Sequence, residues 1–294
     1  MNSTTELVKS ITIGNVTIEL RDPDFIDAFW IGQKEVFRFL NAAWLKLHDT
    51  DRIMSPLLVG PPGCGKTTLA CSVAQAFKRP VYLINCTSDM RPEDLLITPV
   101  LSSDQQVVYR ASSLVSAMVN GGICILDEAN RMNEKSWASL ASLLDDRRYI
   151  ESIIAGVKIS AHPEFRIVAT MNDDSSTFNL PEYIESRLKP VLEVDFPKEE
   201  ELMEIISHHL PRANDDLLNA VIRYLKEKRE SRSIDEYSIR DAIQITRYSQ
   251  KFSADEMPVD AVAKKIIKIQ DRKLENLVSM LSNLDHPSRG LKNS

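Results

Sequence analysis

The chain has 294 residues, with 36 Lys and Arg against 42 Asp and Glu, a net charge of −6 and a hydrophobic fraction of 43%. That composition is ordinary for a globular protein, excludes collagen, coiled coil and disorder as the main state, and at this length suits one large domain or two unequal ones. The acidic balance argues against bulk electrostatic binding to nucleic acid, which needs clustered cations to displace counterions. The longest uncharged run, 111–126, is broken by Ser112, Ser113, Ser116, Asn120, Gly121 and Gly122, so no membrane span is expected. The first ten residues carry Glu6 and Lys9 and no apolar signal core, which predicts a cytoplasmic protein. Cys64, Cys71, Cys86 and Cys124 form no Cys-x-x-Cys pair and sit in apolar segments, which predicts buried thiols without disulfide or zinc.

In chain order, Ile11 to Leu20 alternates apolar residues around Gly14-Asn15 and reads as a small hairpin, an accessory at an edge. From Gln33 to Leu47 the apolar positions Val36, Leu40, Ala43, Trp44 and Leu47 predict an amphipathic helix, with His48 favouring its negative end. Short apolar runs then alternate with helical patterns: Leu57–Val59, Val81–Ile84, Ile123–Leu126, Phe165–Thr170 and Val191–Val194. Alternation of this kind predicts a parallel sheet wrapped by helices. After Pro197 only helical patterns follow, over 199–210, 215–228, 238–249 and 259–284, with a disordered tail over 285–294. Expected domains are therefore an entry segment with the hairpin (1–32), an α/β domain (33–196) and a smaller all-helical domain (197–284).

Gly60-Pro61-Pro62-Gly63-Cys64-Gly65-Lys66-Thr67 fits G-x-x-x-x-G-K-[ST] in full and lies between an apolar run and a helical pattern. Glycines let the backbone aim successive N–H groups at phosphate oxygens, and the following helix presents its positive end to the same charge. Lys66 would reach the outer phosphates, Thr67 would place a hydroxyl on Mg²⁺, and Thr68 completes the cradle, whereas Cys64 occupies a variable position with no chemistry of its own. Ile123 to Leu126 is a buried strand ending in Asp127 and Glu128. Paired with the cradle, Asp127 is the candidate for the Mg²⁺ shell and Glu128 for the base that activates water.

These phrases, with Arg91-Pro92-Glu93-Asp94-Leu95, 121–131 and 161–172, give the chain from about Phe29 to Tyr248 its likeness. It resembles the AAA+ ATPases, and more narrowly the MoxR group with its McrB-like relatives. The resemblance implies a P-loop AAA+ parallel-sheet domain with a C-terminal helical lid, ATP and Mg²⁺ as ligands, and a homo-oligomeric ring, most often a hexamer. It further implies that Asn172 is the polar sensor that helps position lytic water, that Arg187 in the stretch 180–188 is the arginine finger acting in trans, and that Arg240 touches the γ-phosphate from the lid. Asn85 could restrain Glu128 or be an ordinary strand-end amide. The hairpin patterns around Ser102-Ser103-Asp104 and around Ala155-Gly156 resemble insertions that in relatives project toward a central pore or a client. Met171 before the sensor, Asp173-Asp174 after it, and Glu185-Ser186-Arg187-Leu188 where many relatives have Asp-Arg-Phe keep the charges and bear on affinity and partner geometry.

The implied task is remodelling, activation or assembly of a protein client, often one with a von Willebrand factor A domain. The alternatives are a McrB-like nucleic-acid motor or restriction subunit and a nucleotide-switched scaffold. His208 and His209 read as favourable charge at a helix end rather than as metal ligands. The cluster Arg223, Lys226, Lys228, Arg229 and Arg232, diluted by Glu227 and Glu230, reads as a solvated face, and Lys264, Lys265, Lys268, Arg272 and Lys273 mark the least acidic surface.

Overall fold

The computed structural model describes residues 7–48, 50–173, 180–230, 237–252 and 256–267, and it divides into two compact units, Met1–Phe196 and Pro197–Ser294. In chain order the first unit contains β1 (Ser10–Ile13), β2 (Val16–Glu19), α1 (Lys34–Trp44), β3 (Leu57–Gly60), α2 (Lys66–Ala76), β4 (Val81–Asn85), α3 (Pro92–Leu95), β5 (Ile97–Leu101), β6 (Val107–Ala111), α4 (Ser113–Asn120), β7 (Ile123–Asp127), α5 (Glu134–Leu140), β8 (Tyr149–Ser152), β9 (Val157–Ser160), β10 (Arg166–Asn172), α6 (Glu182–Glu185) and β11 (Val191–Glu193). Five of these strands form a sheet in the order β11-β3-β10-β7-β4, and every pairing in it is parallel.

Burial on both faces explains the unbroken apolar runs. Along β7, Ile123 and Ile125 enter one core with Leu58, Leu69, Val73 and Trp44, while Cys124 and Leu126 enter the other with Tyr82, Phe165 and Trp137. Parallel strands all end on the same side, so the C-terminal ends of β3, β7 and β10 meet along one rim. That rim carries the site.

Two local expectations are corrected. Helix α1 stops at Trp44, because the amides of Leu47 and His48 both donate to Asp51 Oδ2, at 2.6 and 2.9 Å, and take the chain out of the helix. Leu47 is 79% exposed and His48 does not sit at the helix end. The N-terminal hairpin forms around Gly14 (φ +59), yet it is no mere edge accessory. Strand β2 pairs in parallel with β6, so two hairpins some ninety residues apart build one sheet, β1-β2-β6-β5, with Ile18 fully buried beneath it. The second inserted hairpin, β8–β9, turns at Gly156 (φ +63). All four cysteines are buried free thiols, and burial pushes Cys71 up to about 11 and Cys86 up to about 12.

The second unit is helical over α7 (Glu199–His209), α8 (Asp215–Glu230), α9 (Ile239–Ser249) and again over 259–267, around a core that includes Leu202, Ile206, Leu218, Val221, Leu225, Ala242 and Ile245. Helix α9 begins on a Ser238–Asp241 capping box, with Asp241 N donating to Ser238 Oγ at 3.1 Å. His209 differs from its expected role: burial first, then His208 and Arg247, hold its imidazole below the ordinary histidine range, so it is neutral at neutral pH and supplies no charge to the helix end. Lys226 pairs with Glu199 at 2.9 Å and Lys264 with Asp260 at 3.2 Å, as on a solvated face. The expected continuation of the last helix past residue 267, the tail and Arg232 lie outside the described residues. Among the described residues no helix is long and apolar enough to cross a membrane.

Candidate functional site

The loop between β3 and α2 is shaped by backbone demands. Gly60 abuts Val194, whose carbonyl oxygen would lie 2.1 Å from an added Cβ, so no side chain fits there. Gly63 (φ +78) and Gly65 (φ +99) take left-handed conformations that turn the chain into α2. The first intrahelical bond of α2 runs from Leu69 N to Gly65 O at 2.8 Å, so the amides of the helix start before Leu69 have no intrahelical partner, the arrangement that suits an anion. Cys64 buries its thiol, with burial raising its pKa, and its Sγ accepts from Lys66 Nζ at 3.9 Å. Lys66, 6% exposed, donates from Nζ to Gly60 O and Pro61 O, both at 2.8 Å.

Strand order brings the second half of the site alongside. Asp127, last in β7, accepts at Oδ1 from Thr67 Oγ1 and from Thr170 Oγ1, each at 2.6 Å. Thr170 is 1% exposed, and its hydroxyl also accepts from Glu128 N at 3.0 Å. That bond holds Glu128 in a left-handed conformation (φ 53, ψ 42), which costs a non-glycine residue about 1–3 kcal/mol and is found mainly where function requires it. The Glu128 carboxylate turns to Arg131, with Oε2 2.7 Å from Nε. Asn172 ends β10 in register with Gly60, and Asp173 N donates to Gly60 O at 3.3 Å. Asn130 Nδ2 donates to Asn172 O at 3.3 Å, tying the turn after Glu128 to the end of β10.

Lys66, Thr67, Asp127, Glu128 and Asn172 are thus gathered on one rim. Arg187 is not gathered with them by contact; just past α6, it donates to Tyr183 O and lies 3.6 Å from Asp145 Oδ2. Asn85 is in register with Asp127 and exposed, and makes no contact with the Glu128 carboxylate, which Arg131 holds instead. Arg240 is exposed in the first turn of α9, in the second unit. Sequence reading missed Thr170, because a threonine inside a β-branched strand looks like a strand former; its one signal is a hydroxyl residue two places before Asn172. It also missed Gln33, whose carboxamide clasps the backbone of Asp195 at 2.7 and 3.1 Å and anchors the entry segment where the first unit ends.

Residues 55–188 match the model of the AAA domain (dynein-related subfamily). The α/β unit has the P-loop AAA+ fold. Among solved structures, the RuvB Holliday junction branch migration motor of Thermotoga maritima superposes with a TM-score of 0.53 at 21% identity over 81% of this chain and 70% of its own. NtrX from Brucella abortus, solved with ADP, gives a TM-score of 0.53 at 15% identity over 81% of this chain and 55% of its own. An uncharacterized protein of Staphylococcus saprophyticus is 27% identical over 200 residues, 65% of this chain and 76% of that one. One from Staphylococcus aureus is 29% identical over 178 residues, 59% and 67% of the two chains. An AAA domain implies nucleotide binding.

Proposed function

We propose that the protein is a Mg²⁺-dependent ATPase that hydrolyses ATP between neighbouring copies of itself in a ring, and uses the cycle to remodel, activate or assemble a protein client in the manner of the MoxR group. The observation that carries the reading is the shared oxygen of Asp127. One carboxylate oxygen that collects the Thr67 and Thr170 hydroxyls beside Lys66 is a set of hard oxygen donors suited to Mg²⁺. Thr67 and Asp127 would hold the magnesium ion, which would supply positive charge to the outer phosphates. Lys66 exchanges its two carbonyl acceptors for phosphate oxygens, and the backbone N–H groups of 63–68 bind the rest of the triphosphate. Glu128 leaves Arg131 to accept the proton of the attacking water, and Asn172 orients that water.

Arg187 supports action in trans: its partners are Asp145 and Tyr183, and it makes no hydrogen bond or ion pair with its own subunit's Lys66 or Asp127. The helical unit, 197–284, is read as the lid, with Arg240 reaching the γ-phosphate from it. A protein client is favoured over nucleic acid by the net charge of −6 and by the β8–β9 hairpin, whose tip residue Ile153 is 94% exposed.

Calorimetry with MgATP tests the core of this reading. Wild type binds, Lys66→Ala loses the binding, and Glu128→Gln binds while releasing no phosphate. Failure of MgATP to bind wild type at millimolar concentration overturns it. A pulldown with Glu128→Gln and ATP tests the client, which should be retained only by this trapped form.

A further inference from the structure

We propose that Asp145 is the positioning residue for Arg187, presenting its guanidinium to the nucleotide of the neighbouring subunit. This rests on the reading of Arg187 as a group that acts in trans. Asp145 follows the turn that closes α5 and lies at the foot of the β8–β9 hairpin. Its carboxylate is pinned from its own loop: Arg147 N donates to Oδ1 at 3.0 Å, Arg147 Nε lies 3.1 Å from both oxygens, and Arg147 Nη2 lies 2.7 Å from Oδ2. The same Arg147 contacts hold the Asp145 carboxyl below the usual carboxylate range, with Arg187 adding a smaller effect, so the charge is present at neutral pH.

A carboxylate fixed in this way is a stationary anchor. Arg187 Nη2 stands 3.6 Å from Asp145 Oδ2, and Arg187 Nη1 donates to Tyr183 O one turn earlier. Two points of attachment set the plane of a planar, five-donor group. The hold leaves part of the guanidinium accessible, since the side chain remains 28% exposed, while Nε is buried without a hydrogen-bond partner. At 3.6 Å the Asp145 contact is an ion pair rather than a hydrogen bond, so it orients Arg187 without competing strongly with a phosphate oxygen. Asp146, next in sequence, points elsewhere, to Arg52 at 2.6 Å in an exposed pair, and provides an internal control.

Asp145→Asn keeps the acceptor for Arg147 N and removes the charge. Its turnover should fall about 10- to 100-fold, the scale of a misplaced catalytic group, with MgATP affinity unchanged. Asp146→Asn should keep wild-type turnover. Mixing decides whether the defect lies in the group donated to the neighbour. Asp145→Asn subunits mixed equally with Glu128→Gln subunits, which cannot hydrolyse but carry intact Asp145 and Arg187, should recover toward roughly a quarter of wild-type turnover, the fraction of head-to-tail interfaces that pair a competent site with a competent donor. Arg187→Ala mixed with Glu128→Gln is the reference. Recovery in both mixtures supports the proposal. If the Arg187→Ala mixture recovers and the Asp145→Asn mixture does not, or if Asp145→Asn alone turns over like wild type, Asp145 does not position Arg187. If the Arg187→Ala mixture fails to recover, the trans reading itself falls and this inference with it.

Discussion

The gripping half of the site and the triggering half are built differently. Lys66 is held by the carbonyls of Gly60 and Pro61 at 2.8 Å, and Thr67 and Thr170 both donate to Asp127 at 2.6 Å, with Lys66 and Thr170 nearly inaccessible. The groups assigned to hydrolysis are held by ion pairs open to water, Glu128 to Arg131 with side chains 44% and 51% exposed, and Arg187 to Asp145 at 28% and 21%. Buried, satisfied hydrogen-bond networks are rigid, whereas exposed ion pairs contribute only about 0–1 kcal/mol and exchange readily. The geometry for holding phosphate is therefore set within one subunit, and the geometry for cleaving it is left adjustable by a neighbour.

Substitutions sharpen that contrast, and the largest effect belongs to the trigger. Arg187→Ala should lower turnover about 10³- to 10⁵-fold while leaving MgATP binding intact, measured by phosphate release beside calorimetry. A parallel loss of binding would place Arg187 in its own subunit's grip. Thr170→Val comes next: it leaves Asp127 Oδ1 one donor short and orphans Glu128 N, a loss of about 1–3 kcal/mol that should appear as a roughly 10- to 100-fold fall in MgATP affinity or turnover. Unchanged kinetics would reduce Thr170 to a strand residue.

Arg131→Ala should release Glu128 and raise kcat less than about tenfold without altering MgATP affinity, as befits an exposed pair. A lower kcat would mean that Arg131 orients the base rather than restraining it. The smallest effect lies in the helical unit. His209 is held below its unfolded value of about 6.5, so the stability it contributes is complete above that pH and is lost as pH falls through the folded value. Acid titration followed by helical signal should show the wild type weakening sooner below pH ~6.5 than His209→Gln.

How far the sequence alone reaches follows the same division. The cradle is legible because its demands are local: glycines at 60, 63 and 65, then Lys66 and Thr67, at fixed spacing before a helix. The five sheet strands are legible because burial on both faces leaves continuous apolar runs. What escapes depends on contacts across the chain. Nothing around Val16 signals that β2 will pair with β6, and the end of α1 is set by an Asp51 carboxylate seven residues past Trp44. Thr170 and Asp145 matter through partners at 127, 128 and 187, which no local pattern encodes. His209 looks like a helix-end cation until the partial desolvation and the neighbouring His208 and Arg247 that lower its pKa are seen.

Turnover per subunit as a function of protein concentration tests most directly the claim that one copy holds the triphosphate and another triggers it. The specific activity should rise steeply as subunits assemble and nearly vanish for the monomer, with MgATP binding retained throughout. A flat specific activity down to a species shown to be monomeric by sedimentation would contradict it.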